Sequence, residues 1–264
     1  MWLLQISGVM ENKYIFRIKL AGRLIEIRSL HETCRIFCKE YLAPEEEQGP
    51  PVFLVDIVPR NIMRENDAAQ GCFPVSDEEI YHYFDPGYLE TGAVHRKICE
   101  NLPRFDAFLM HGAVAAYEGS AYMFTAPSGT GKTTRAELWL KEFPGSFIVN
   151  GDKPLIRLDS RRAYACGTPW SGKEHWNVNT AVPLQAVFLL ERTEPGEKSS
   201  LEAIDTLEGY FKLLEQTYKP ERAVSLQRTL LLLKSLEGRV KIYRFRSPLS
   251  GEGLRAAWET AKPR

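Results

Sequence analysis

Hydrophobic and polar positions follow different patterns in the two parts of the chain. In residues 1–104, β-forming residues are concentrated from Tyr14 to Leu30, with Ala21-Gly22 at the centre, and this pattern predicts a β-hairpin. Four further elements are predicted after it: a short helix over 31–41, a buried strand over Val52–Val58, a loop over Arg60–Gln70, and a helix over 87–101 that Pro103 ends. We therefore expect residues 1–104 to form a small α+β N-terminal lobe, with a possible role in recognising a partner or substrate.

Residues 105–264 carry short apolar runs and amphipathic helical patterns in turn. Ser120–Thr125 is a predicted strand that leads directly into a glycine-containing loop. The segment after the loop has apolar residues at three- and four-residue spacing, which predicts a helix with one apolar face. Further strands are predicted at 147–149, 155–158, 185–191 and 240–245, and further helices along Leu207–Tyr218, Leu230–Leu233 in the core, and Leu254–Ala261. The fold class predicted for the whole chain is α/β (α+β), with mixed β-sheets flanked by helices.

The loop after the 120–125 strand carries the candidate chemistry: Pro127, Ser128, Gly129, Thr130, Gly131, Lys132, Thr133 and Thr134. Glycines let a loop backbone approach phosphate oxygens, and the following helix adds the positive end of its dipole. In this interpretation Lys132 reaches the β- and γ-phosphates, and the hydroxyl of Thr133 binds Mg²⁺. The common pattern has a glycine where this chain has Ala126, so the loop is a variant of that pattern.

A phosphate loop needs a carboxylate that holds the metal or accepts a proton before it can transfer phosphate. Asp152 is the candidate, because it follows the predicted strand 147–149 after the loop helix. The alternative is that Asn150-Gly151-Asp152 is only turn chemistry between two strands.

Composition excludes several other classes. Lys plus Arg and Asp plus Glu both number 34, so no basic surplus indicates nucleic-acid binding. No apolar run is long enough for a membrane span, and the N-terminus lacks the pattern of a signal peptide. The five cysteines have no metal-ligand spacing, which favours buried free thiols. These observations predict a cytoplasmic protein without a nucleic-acid or membrane partner.

Residues from about 105 to 260 resemble the C-terminal domain of HPr kinase/phosphorylase and its relatives in the phosphoenolpyruvate carboxykinase-like superfamily. The resemblance rests on an ordered set of motifs: His111-Gly112, the strand 120–125, the loop 127–134, Asp152 with Lys153-Pro154, and the stretch from Gly167 to Trp170. It is closer to a bacterial branch of HPr-kinase-like proteins than to HPr kinase itself. The N-terminal lobe does not share it.

This resemblance implies a domain of strands around a phosphate loop, with ATP and Mg²⁺ as cofactors. It also implies transfer of a phosphoryl group to a serine hydroxyl, and possible assembly as a homo-oligomer. HPr kinases carry two adjacent aspartates after the loop helix, whereas this chain has Gly151 before Asp152. One of the two carboxylate functions is therefore vacant or supplied from elsewhere.

Other residues are candidates for the missing function. His111 matches the family's histidine ahead of the loop strand and could help to move a proton, although a lone histidine at a strand start is equally a structural residue. In the irregular segment 167–180, Lys173 could neutralise phosphate charge and Glu174 could be a substitute base. All three of Lys173, Glu174 and His175 are candidates for contacting substrate; the alternative is a structural loop.

Two functions remain open on the sequence. The first is an ATP-dependent kinase acting on a hydroxyl, predicted to be a serine of a protein, peptide or small molecule, with Asp152, Lys132 and His111 as catalytic residues. The second is a nucleotide-binding regulatory or peptide-maturation accessory protein with weakened turnover, for which Gly151 is the argument. The sequence disfavours phosphoenolpyruvate carboxykinase itself, because the chain is about half the length that this resemblance would require and has no evident second cluster of Lys, His and Asp.

Overall fold

A computed structural model describes residues 13–47, 49–71, 84–127, 130–193, 198–248 and 251–263. The chain divides into two compact units, Met1–Ile98 and Cys99–Arg264. We call them the first unit and the second unit and describe each by itself. No helix in the described ranges is long and apolar enough to cross a membrane.

The first unit contains a sheet in the order β1-β2-β3, where β1 (Tyr14–Leu20) and β2 (Arg23–Ser29) form an antiparallel hairpin and β3 (Phe53–Asp56) runs parallel to β2. The predicted hairpin is confirmed. Its turn residues Ala21 and Gly22 both have positive φ, at 49° and 75°, which is the backbone of a tight hairpin turn. The helices of this part of the chain are α1 (Thr33–Phe37), α2 (Pro59–Gln70) and α3 (Pro86–Asn101).

Two predictions for the first unit are wrong in detail. Residues 60–70, predicted as a loop, form α2, because Pro59 stands at the first helical turn and Ile62 and Asn66 bury one narrow face. The strand predicted over Val52–Val58 is shorter and only half buried: Val55 is inaccessible, whereas Leu54 is exposed. The polar face of α2 hid its helical period from the sequence pattern.

A buried carboxylate organises the segment after β2. Glu90 on α3 is inaccessible to solvent and accepts hydrogen bonds from the backbone N–H groups of Leu30 at 2.6 Å and His31 at 2.9 Å. Nδ1 of His31 lies 2.7 Å from the same carboxylate. The hydrogen bond to Glu90 raises the pKa of His31, and burial opposes it. Glu90 therefore fixes the start of the segment that leads into α1.

The second unit is built on a large mixed sheet. Its strands are β4 (Ala107–Leu109), β5 (Ala113–Tyr117), β6 (Ser120–Thr125), β7 (Phe147–Asn150), β8 (Leu155–Leu158), β9 (Ala163–Cys166), β10 (Ala181–Glu191), β11 (Ser200–Ala203) and β12 (Lys241–Arg246). The strand path is β4-β8-β9-β10-β6-β5-β7; in addition, β12 lies parallel to β10, and β11 lies antiparallel to β12.

Helices cover both faces of this sheet, and successive side chains along a strand enter opposite cores. On β6, Met123 packs with residues of α5 (Thr206–Glu215) and α6 (Ala223–Lys234). Its neighbour Phe124 packs with residues of α4 (Lys132–Glu142) and α7 (Gly251–Ala261). All six residues of β6 are buried as a result, as expected for a strand covered on both faces. The predicted α/β (α+β) class with mixed sheets and flanking helices is confirmed.

The structure corrects some details of the second unit. β9 and β11 were not predicted, and β10 begins at Ala181 instead of residue 185. The spacing of Leu207 and Phe211 in the segment Leu207–Tyr218 predicts that they share one buried face. This is wrong, since both are exposed and Leu213 enters the core instead. In the predicted core segment Leu230–Leu233, Leu231 is exposed. The described cysteines Cys34, Cys38, Cys99 and Cys166 are buried free thiols, as predicted.

Strand direction places the candidate residues at one edge of the sheet. β5 is antiparallel to both β6 and β7, so β6 and β7 run in the same direction and end at the same edge. The loop that follows β6 and Asp152, which follows β7, therefore share this edge with His111 and Gly112, which precede β5. Ligands of α/β sheets bind at such carboxyl ends.

Candidate functional site

The predicted phosphate loop joins β6 to α4, and we keep this name for residues 127–134. Gly131 has a φ of +86° and is the residue before the first turn of α4, so a glycine is required to turn the chain into the helix. The hydroxyl of Thr130 donates to the carbonyl of Pro127 at 2.9 Å, which closes the loop on itself. Ser128 and Gly129, which the sequence predicts as phosphate-binding residues, lie outside the described residues. Thr133 and Thr134 lie in the first turn of α4.

Lys132 is buried at the N-terminus of α4, with its ammonium group turned back onto the loop. Its Nζ donates to the carbonyl oxygens of Ala126 at 2.8 Å and Pro127 at 3.2 Å. Burial lowers the pKa of Lys132, while the negative charge of Asp152 acts in the opposite direction. The ammonium group of Lys132 is therefore held at the N-terminus of α4, close enough to Asp152 for the two charges to interact.

Asp152 is the best-anchored charged group of the site. One carboxylate oxygen, Oδ1, lies 3.0 Å from Nε2 of His111, and the other accepts from Nζ of Lys153. The hydrogen bond from His111, followed by that from Lys153, holds the pKa of Asp152 well below its usual range in spite of burial. Asp152 is therefore a stable anion at neutral pH and a weak proton acceptor.

Backbone contacts hold His111 and Asp152 together. The N–H of Gly112 donates to the carbonyl of Asp152 at 2.9 Å, and the hydroxyl of Thr125 donates to the carbonyl of His111 at 2.6 Å. Gly112 has to be a glycine, because a β-carbon there would lie 2.8 Å from the carbonyl oxygen of Phe124. This close approach of β5 to β6 brings the imidazole to the end of the phosphate-loop strand.

Gly151, where the family resemblance implies a first aspartate, has no room for a side chain. A β-carbon at this position would lie 2.8 Å from the carbonyl oxygen of Ser171. The N–H of Gly151 also donates to the carbonyl of Trp176 at 2.9 Å. The segment 168–177 thus fills the space beside Asp152 with backbone.

The other three candidates, Lys173, Glu174 and His175, lie in the same segment and differ in their exposure to solvent. Gly172 has a φ of +81°, and a β-carbon on it would lie 3.3 Å from Cβ of Asp152 and 3.6 Å from Oε2 of Glu174. The carboxylate of Glu174 is therefore a neighbour of Asp152 across Gly172. Lys173 extends into solvent, with 91% of its side chain exposed, and His175 is also exposed.

A cleft of about 300 Å³ opens on the other side of the phosphate loop. Thr125, Ala126, Pro127 and Thr130 form one wall, and the ends of β10 and β12 with one face of α5 form the rest. Its charged lining residues are Glu191, Arg192, Glu208, Lys212, Glu215 and Arg244. The carbonyl of Gln216, another lining residue, accepts from the N–H of His111 at 2.8 Å, although His111 and Asp152 do not themselves line the cleft.

The oxygen donors at the loop suit a magnesium ion that a nucleotide brings with it. Among the described residues there is no cluster of three His, Cys, Asp or Glu side chains that could bind a metal by themselves. Mg²⁺ in nucleotide sites is held by one or two protein oxygens together with phosphate oxygens and water. Thr133, through its hydroxyl, and Asp152, through its carboxylate, are residues of the required type.

The sequence pattern did not single out Lys153, Asn150 or Thr168 as site residues. Lys153 contacts the carboxylate of Asp152, and Asn150 and Thr168 bind the backbone around it. The signal available was the run Asn150-Gly151-Asp152-Lys153 directly after a strand, in which a buried asparagine can bind the two following N–H groups.

Two of three comparisons with known proteins give a match. A solved structure of the Hpr(Ser) kinase/phosphatase from Coxiella burnetii is similar to this chain at 13% sequence identity and a TM-score of 0.27, covering 49% of this chain and 97% of that chain. At this TM-score the likeness supports no conclusion about the site. No curated protein matches the chain. Residues 88–218, which include His111, the phosphate loop and Asp152, match the model of a family described as SynChlorMet cassette protein ScmC.

Proposed function

We propose that the protein is an ATP-dependent kinase that transfers the γ-phosphoryl group to a hydroxyl, in the first place that of a serine in a protein, peptide or small molecule. The observation that carries the proposal is the ionised carboxylate of Asp152, bound by His111 at 3.0 Å and influencing Lys132 at the start of α4. A site that only binds nucleotide has no need of a carboxylate fixed in this way.

The residues divide the work as follows. Lys132 and the backbone N–H groups of the loop bind and neutralise the phosphates, and Lys132 exchanges the carbonyls of Ala126 and Pro127 for phosphate oxygens when a nucleotide enters. Thr133 and Asp152 would hold Mg²⁺, which would supply charge neutralisation at the transferring phosphoryl group. Because the pKa of Asp152 is held low, its carboxylate is a weak base, and its part in proton transfer is to orient His111.

His111 is the proposed proton acceptor. Its Nε2 faces Asp152, which leaves Nδ1 as the nitrogen that can take the proton of an acceptor hydroxyl. In this arrangement the carboxylate fixes the ring and stabilises the imidazolium that forms. The cleft beside Thr125 and Gln216 is large enough for a small acceptor or the side chain of a peptide.

The test is incubation of the full chain with γ-labelled ATP and Mg²⁺, with and without free serine and serine-containing peptides. We expect label in the acceptor and its loss in Asp152→Asn. Label that appears only in inorganic phosphate would indicate an ATPase, and label transfer at the wild-type rate in Asp152→Asn would contradict the assigned carboxylate.

A second candidate is a nucleotide-binding regulatory or accessory protein without turnover. The observation in its favour is the Ser171 carbonyl at the position of a second aspartate, because it leaves no room for a carboxylate at position 151. The description of the matching family names a cassette and no reaction, so it favours neither candidate. Tight ATP binding in calorimetry together with no label transfer to any acceptor would support this second function.

A further inference from the structure

Asp152 and Lys153 have all four of their backbone polar groups bound by other parts of the second unit. The side chain of Asn150 accepts from the N–H of Asp152 at 2.9 Å and from the N–H of Lys153 at 2.7 Å. The N–H of Gly112 donates to the carbonyl of Asp152, and the hydroxyl of Thr168 donates to the carbonyl of Lys153 at 2.8 Å. The backbone hydrogen bonds of these two loop residues are therefore all satisfied, as they would be in a strand.

The side chains of Asn150 and Thr168 are also bound to each other. Nδ2 of Asn150 donates to the carbonyl of Thr168 at 3.0 Å and to its hydroxyl at 3.1 Å. Both residues are buried, with relative exposures of 0% and 1%. A buried polar pair has to satisfy its hydrogen bonds, and here the geometry of residues 152 and 153 is what satisfies them.

The residue types follow from this arrangement. Position 150 needs an acceptor for two N–H groups and a donor toward Thr168, and asparagine carries both on one short side chain. Position 168 needs one hydroxyl that accepts from Asn150 while it donates to Lys153. The carbonyl of Trp170, at 3.2 Å, is the second acceptor within reach of the same hydroxyl.

We propose that Asn150 and Thr168 are positioning residues, which hold Asp152 and Lys153 so that one carboxylate oxygen meets His111 and the other meets the Lys153 ammonium group. The inference rests on the proposed kinase function. Lys153 binds the oxygen of Asp152 that His111 leaves open, so it keeps the anion compensated until a nucleotide arrives and is then free to contact a phosphate oxygen. Preorganisation of this kind acts on the rate, since small displacements of reacting groups cost about a hundredfold.

The experiment compares Thr168→Val with Thr168→Ser. Valine keeps the shape of threonine and removes the hydroxyl that binds Lys153, whereas serine keeps the hydroxyl. Thr229→Val is the matched control, because Thr229 is a buried threonine on α6 whose hydroxyl donates to the carbonyl of Ser225 at 2.9 Å. Both valine variants lose a buried hydroxyl donor, and Thr168→Val also removes an acceptor of the Asn150 side chain.

We expect Thr168→Val to lower kcat at least tenfold with KM for Mg·ATP within about twofold of wild type. Thr168→Ser should restore kcat to within about threefold, and Thr229→Val should leave both constants unchanged. Wild-type kcat in Thr168→Val, or an equal loss in Thr229→Val, would overturn the proposal.

A second measurement separates this inference from the proposed function. Amide hydrogen exchange at Asp152 and Lys153, followed by NMR, should be at least tenfold faster in Thr168→Val than in Thr229→Val. If the wild type transfers no phosphate, the kinase function fails, and the exchange rates alone decide whether Asn150 and Thr168 hold these residues. Unchanged exchange at both amides would overturn the positioning role in either case.

Discussion

A β-carbon on Gly151 would lie 2.8 Å from the carbonyl oxygen of Ser171. The two residues are 20 positions apart in the chain and meet because the segment 168–177 runs back along the end of β7, where the carbonyl of Val149 accepts from the N–H of Val178. This contact leaves no room for a carboxylate at position 151. In the proposed function, metal binding and proton transfer are therefore divided between Asp152 and His111.

Gly151→Asp should not restore a two-aspartate site. The new side chain would displace the Ser171 carbonyl, and overpacking of this kind costs about 1–3 kcal/mol of unfolding free energy. We expect a lower urea midpoint and no gain in phosphoryl transfer. Gly49→Ala is a control for the loss of glycine itself, since a β-carbon there meets no atom within 4 Å. A faster enzyme with Asp at 151 would show that the segment moves aside.

Lys132→Ala should abolish phosphoryl transfer and weaken ATP binding. Loss of one charge-stabilising donor costs about 10²- to 10³-fold in rate, and the buried ammonium group has no substitute in the described part of the loop. Lys141→Ala is the control on the same helix, where the side chain is exposed in the last turn. Measured turnover and calorimetric ATP affinity should fall in the first variant and remain in the second.

Asp152→Asn should make the protein less sensitive to acid. The folded-state pKa of Asp152 lies below its unfolded value, so its stabilising effect is complete above pH about 3.9 and is lost as the pH falls below that. Urea unfolding at a series of pH values from neutral downward is the measurement. The wild type should lose more stability below about pH 4 than the variant, and parallel curves would contradict the low pKa of Asp152.

His111→Gln should lower kcat and leave ATP binding intact. A general base contributes about 10²- to 10⁴-fold to the rate, and glutamine keeps a hydrogen-bond donor to Asp152 but cannot accept the proton. The measurement is kcat against KM for Mg·ATP under single-turnover conditions. A loss confined to KM would place His111 in nucleotide binding, and unchanged kinetics would leave it as a structural residue.

His31→Asn in the first unit should remove a pH dependence of opposite sign. The hydrogen bond that His31 donates to Glu90 raises the pKa of His31, so the stabilising effect is complete below the unfolded value of about 6.5 and is lost as the pH rises through the folded value. The urea midpoints of wild type and variant should therefore converge as the pH rises above about 6.5.

The local pattern of the sequence determined most of the elements of the second unit. The strand Ser120–Thr125, the glycine loop, α4 and the final amphipathic helix were all predicted, because strand and helix periods and the turn residues between them are local signals. Arg60–Gln70 was predicted wrongly because a helix with a narrow buried face has the composition of a loop. On α5, Leu207 and Phe211 have the spacing of a buried face and yet lie exposed.

The sequence alone identified Lys132 by the glycine loop before it, Asp152 by its place after a predicted strand, and His111 by the family resemblance. It could not establish that they meet, because convergence depends on the antiparallel placement of β5 between β6 and β7. The filled space at Gly151 and the roles of Asn150 and Thr168 also came only from the tertiary structure. Both depend on contacts between distant segments, which pack by shape and hydrogen bonding and leave no periodic signal in the chain.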